Sequence, residues 1–177
     1  MANLTGFASG FPHGTSDVST SPYPIQVGTR ARDGSGNEYV YCAFTGSVFT
    51  GVPVFISLDG TFTADPTAEA RGMVGLASAA GTSDNAGWVQ IYGYASMQFA
   101  SGDSAATSAY VAVSAGSVSS PECALDVRVR TTDSDIEVHG LFVVGAATTA
   151  TTGATSHIGT AVPVFLNYPF LFGAATS

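Results

Sequence analysis

The sequence predicts an all-β protein: a single antiparallel β-sandwich or tulip-like β-barrel over 38–177, behind an extended N-terminal arm over 1–37. Three features of the 177 residues lead there. Short runs rich in Val, Ile, Phe and Tyr recur along the chain. Gly, Ser, Asp and Asn clusters separate most of them at intervals of roughly 8 to 12 residues, the rhythm of sandwiches and barrels. No window combines a 3.6-residue apolar period with capping signals and strong helix formers.

In chain order, 1–37 is rich in Gly, Ser, Thr and Pro, and its apolar residues Phe7, Phe11, Tyr23 and Ile25 follow neither a strand nor a helix period. Such a segment buries too little of itself to offset its ordering entropy, so it is expected either to stay loose or to become ordered on a neighbouring surface. Asp33-Gly34-Ser35-Gly36-Asn37 marks a turn. Strands are expected over 39–44, 52–58, 73–77, 87–94, 96–100, 109–113, 125–130, 136–144 and 161–166, with at most one short helix near 67–71. Pro53 and Pro163 lack the N–H a ladder needs, so each should lie on an edge or at a strand start. The Ala/Thr/Gly run over 145–159 reads as an exposed loop.

Charge excludes several functions. Charged residues make up 10% of the chain, less than half the usual share of about 25%. All five basic residues are arginines, so P-loop phosphate binding and Schiff-base chemistry, which need a lysine, are excluded. A net charge of −8 opposes nucleic acid and anionic membranes as partners. No apolar run reaches the roughly 18 residues of a membrane span, and Met1 to Gly10 has no secretory-signal pattern. Cys42 and Cys123 read most simply as two buried, reduced thiols.

The search for chemistry finds little. Asp133, Asp135, Glu137 and His139 alternate along one strand face, but their spacing suits a solvated face better than a four-ligand metal site. Asp33, Ser35 and Asn37 have the opening spacing of a calcium loop, yet Glu38 occupies the place of its required glycine. His13 and His157 have no neighbour in sequence that would make either a general base. No metal, cofactor or catalytic set is assigned, and the chain is expected not to be an enzyme. Trp88, Tyr92 and Tyr94, with Gln90, should share one face of their strand, as a subunit interface or a glycan-stacking surface.

So few charges imply a surface covered by protein, because obligate interfaces are charge-poor and rich in aromatic rings. The element Gly87-Trp88-Val89-Gln90-Ile91-Tyr92-Gly93, with 52–58 and 73–77 before it and Val162-Pro163-Val164-Phe165-Leu166 and Pro169 after it, resembles the head decoration (cement) proteins of tailed bacteriophages over roughly 38–170. That resemblance implies a small β domain on the outside of the virion capsid, a homo-oligomer with a trimer favoured, and the major capsid protein as partner. It also implies an arm laid on the shell, with Phe7, Phe11, Tyr23 and Ile25 as contact candidates. The expected function is structural: a capsid-stabilising protein, with a glycan-binding or host-attachment module as the alternative.

Overall fold

The computed structural model describes residues 16–57, 61–65, 72–100, 110–114, 127–129, 135–145 and 158–171. All regular structure among them is strand: β1 Val18–Thr20, β2 Arg30–Arg32, β3 Glu38–Phe44, β4 Pro53–Ile56, β5 Thr63–Asp65, β6 Gly72–Ala77, β7 Asn85–Ala100, β8 Tyr110–Ser114, β9 Val127–Val129, β10 Asp135–Val143 and β11 Ile158–Leu171. The possible helix over 67–71 and most of the Thr-rich run lie outside the described residues.

The strands join in one sheet, in the order β1-β7-β3-β5-β4-β6-β11-β10-β8-β9, with β2 on β3 and further pairings of β7 with β6 and β11. The sheet is mixed, because β3 and β5 run parallel through Ala43↔Thr63 and Phe44↔Ala64. Pairing also returns on itself, from β7 through β3, β5, β4 and β6 back to β7 at Leu76↔Gln90 and Ala77↔Val89.

Alternation places the core. On β3, Val40, Cys42 and Phe44 face a cluster that includes Val54 and Ile56 of β4, Ala64 of β5, Ala77 of β6, and Val89 and Ile91 of β7. The alternate residues Tyr39 and Tyr41, with Ala86 and Trp88 of β7, form a second cluster on the opposite face. Ile25 and Ala31, with the half-buried Tyr23 and Val27, cover that second cluster. Residues expected on a free arm are therefore part of this chain's own packing. β1 pairs with the start of β7, and β2 forms a hairpin with β3 across the Asp33–Asn37 turn. These two strands and β5 are too short for periodicity to reveal.

Two segments expected as separate strands are one. β7 runs unbroken through 85–100, pairing first with β3 and then with β11 through Tyr92↔Asn167, Tyr94↔Phe165 and Ser96↔Pro163. It changes partners at Gly93, whose φ of +99° lies in the left-handed region that glycine tolerates best. Any Cβ there would strike Asn37 Oδ1.

Pro53 opens β4, as a residue without a donor should. Pro163 is different: it lies inside β11, between β7 and β10. Its carbonyl accepts the Val144 N–H at 3.0 Å, and its nitrogen faces the same side, where β10 has already ended. Proline cannot return the pair bond to Val144 O, but that loss falls one residue past the end of β10, and Gly145 leaves room for the ring, because a Cβ at that position would overlap Pro163 Cγ.

Candidate functional site

The most distinctive surface is built on the second half of β7 with β11 and β10. The inward set, Met97, Val162, Val164, Leu166, Leu141 and Val143, is buried. The outward set is apolar as well. Cross-strand register aligns Tyr94 with Phe165, and Phe165 with Phe142, so three aromatic residues cross three strands in a row. Neighbouring strands lie about 4.8 Å apart, which puts successive rings within reach of one another. Tyr94 meets Phe165 edge to face, with centroids 5.0 Å apart. Register continues the row to Tyr110 of β8, opposite Phe142.

Tyr94 is 69% exposed and Phe142 50%, and exposed Ser96, Ala161, Pro163 and Val144 extend the face without a charge. An antiparallel strand with one wet face alternates apolar and polar residues. Leu141-Phe142-Val143-Val144 does not, so β10 carries apolar side chains on both faces. A contiguous exposed patch of this kind marks an interaction surface.

One end of the row is braced by polar groups. Tyr92 lies edge to face with Phe165, at 5.5 Å, and stacks on Tyr168 at 5.2 Å. Tyr168 has a φ of +48°, a conformation that costs a non-glycine residue about 1–3 kcal/mol. Its hydroxyl donates to Glu38 Oε2 at 2.6 Å, and Glu38 also forms an ion pair with Arg32. Opposite Gly140, β10 advances from His139 to Leu141 while β11 moves back from Phe170 to Leu166, and the extra β11 residues bulge out and carry Tyr168 toward Glu38.

The Asp33 turn secures the bend of β7. The Asp33 carboxylate accepts hydrogen bonds from the Ser35 and Asn37 backbone N–H groups, Asn37 Nδ2 and the Tyr39 hydroxyl. Asn37 Oδ1 then accepts the Tyr94 N–H at 3.2 Å. Burial alone would raise the Asp33 carboxyl, but the hydrogen bonds from Asn37, Ser35 and Tyr39 outweigh it and hold it below its ordinary value of 3.8. A depressed carboxyl stabilises the fold above the ordinary value, and that contribution is lost as pH falls through the lower folded value. Asp33→Ala should therefore cost about 1–2 kcal/mol at pH 7. The gap from wild type should narrow below about pH 4, as read from urea midpoints at both pH values.

The structure separates the three aromatics expected to share one face. Trp88 is fully buried, packed edge to face on Tyr41 at 5.1 Å. Its ring is therefore not available to stack on a sugar. Tyr92 is half-buried, and only Tyr94 projects from the face. Of the proposed shell contacts, Ile25 is buried and Tyr23 half-buried in the second cluster, while Phe7 and Phe11 lie outside the described residues. Sequence reasoning does not find Phe142, Phe165 and Tyr168 as site residues. The signal that could have found them is consecutive apolar residues where a half-wet strand would alternate.

Cys42 is a free, buried thiol whose pKa burial pushes up to about 12, which makes it an inert core residue rather than a nucleophile. Cys123, His13, His157 and Asp133 lie outside the described residues, and His139 is exposed on β10. Among the described residues, no group of three His, Cys, Asp or Glu side chains converges on a metal-sized site. No family model matches the chain, and no curated protein or solved structure matches it either.

Proposed function

We propose that this chain is a structural virion protein that binds the exterior of a tailed-phage capsid and stabilises it. The observation that carries the reading is the uncharged aromatic row Tyr94–Phe165–Phe142, left open on a protein with 10% charged residues. Rings on a flat sheet face supply large contact area at small entropic cost, and a charge-poor surround carries little desolvation penalty. The occupants are the major capsid protein and sister copies, in a homo-oligomer for which a trimer is favoured.

The closed pairing circuit supports a small barrel as the body of the domain, with the β11–β10–β8–β9 extension presenting the contact face. Phe7 and Phe11 are further proposed shell contacts. Many copies on one closed shell act together, so modest affinity per copy suffices. The role requires no catalytic group.

The test is occupancy on purified capsids stripped of the chain. Replacing Tyr94 and Phe142 together with aspartate removes apolar burial worth about 1.5 kcal/mol or more per ring, so occupancy at subsaturating protein should fall by more than about tenfold. Unchanged occupancy by a folded double variant would overturn the assignment of this face.

A further inference from the structure

A second feature lies apart from the aromatic row. A cleft of about 260 Å³ opens between the Thr50–Gly51 turn, the end of β6 and the bend of β7, beside Tyr39. None of its lining residues is charged, and Thr50, Ser78, Gln90 and Ser96 give it polar groups beside Leu76. Backbone bonds fix its walls: the Gly51 N–H donates to Ala77 O at 2.8 Å, and Gly51 O accepts the Gln98 N–H at 2.9 Å.

Gln90 is the informative residue, being only 8% exposed. Its Nε2 donates to two carbonyls, Tyr92 O at 3.2 Å and Tyr94 O at 2.9 Å. Carbonyl oxygens only accept, so this pair of bonds settles which end of the amide is nitrogen. Oε1 is thereby left as an acceptor open to the cleft. Among the described residues it has no donor partner, and none of the Thr50, Ser78 and Ser96 hydroxyls is taken by another group. An open amide oxygen and three hydroxyls around a neutral, partly apolar space match a ligand that both donates and accepts hydrogen bonds and carries no charge.

We infer that this cleft binds a neutral polyhydroxylated ring, a pyranose sugar, with one ring hydroxyl donating to Gln90 Oε1 and others meeting Thr50, Ser78 and Ser96. Ser96 also borders the face around the aromatic row, but Thr50, Ser78 and Gln90 do not, so the inference stands on groups outside the capsid assignment and Ser78→Ala tests it without altering that face. For a ligand of this size the expected Kd is on the order of 1 mM.

Backbone amide NMR on the full chain tests it, with D-glucose, D-galactose and N-acetyl-D-glucosamine as probes and D-glucuronate as the charged control. At least one neutral sugar should give saturable shifts at Gly51, Ser78, Gln90 and Ser96, weakened about fivefold in Ser78→Ala. They should vanish in Ser96→Phe, which fills the cleft from its exposed rim without touching the Gln90 bonds. The inference is overturned if none of the neutral sugars shifts these amides up to ~50 mM, well above the expected Kd. It is equally overturned if the shifts persist in Ser96→Phe, or if glucuronate binds as well as the neutral sugars.

Discussion

Replacing Gly75 with valine should unfold the domain at a markedly lower denaturant concentration, a loss of about 3 kcal/mol. Gly75 lies where β6 leaves β4 and meets β7. A Cβ there would overlap Val89 Cγ1, and it would sit 2.9 Å from Gln90 O and 3.2 Å from Ile56 Cδ1. Gln90 O is backbone, and Val89 and Ile56 belong to the first core cluster, so nothing nearby can yield cheaply. The added side chain must push β6 off β7 at the step that returns the pairing circuit to its start. For a chain of this length the melting temperature should drop by about 6–12 °C. Gly34→Val is the control: a Cβ there meets nothing within 4 Å, and its effect should stay within about 0.5 kcal/mol. Equal stability of the two variants would show that β6 and β7 do not approach as described.

Trp88→Ala should cost about 3–5 kcal/mol, because it empties a fully buried site and leaves a cavity under Tyr41, Ile25 and Ala31. It should also loosen 23–31, whose apolar residues are held by this cluster, and so raise amide exchange there more than in β10 and β11. Tyr94→Ala, on the same strand but 69% exposed, should cost about 1 kcal/mol, mostly its edge contact with Phe165. A stable Trp88→Ala protein with unchanged exchange over 23–31 would contradict the second core.

The contrast between Trp88 and Tyr94 shows how much of this molecule is legible in its sequence. β-branched and aromatic runs between turn signals reveal β3, β4, β6, β8, β9, β10 and β11, and the Asp33–Asn37 turn is encoded by its residue types alone. Parity along a strand does not fix a face once the strand bulges. Glu38↔Tyr92 is followed by Tyr39↔Gln90, so Ile91 is an extra residue, and the positive φ of Gly93 redirects the second half of β7. Trp88 and Tyr94 consequently end in different environments.

Residues 16–32 are legible only as irregular. β1 and β2 have three residues each and are held by β7 and β3, and no local pattern encodes a partner more than fifty residues away, as in Val18↔Gly87. Pro163 illustrates the same limit, since an interior strand position suits it only because β10 ends opposite. The aromatic row joins residues 94, 142 and 165 through register, which sequence does not state.

Association through the open sheet face is the claim that most directly bears on function, and sedimentation velocity of the purified full chain reads it in one experiment. The account predicts a wild-type species heavier than 17.9 kDa that returns to that mass when Tyr94 and Phe142 are both aspartate. A wild-type protein that sediments alone at 17.9 kDa, and stays alone when mixed with stripped capsids, would contradict it.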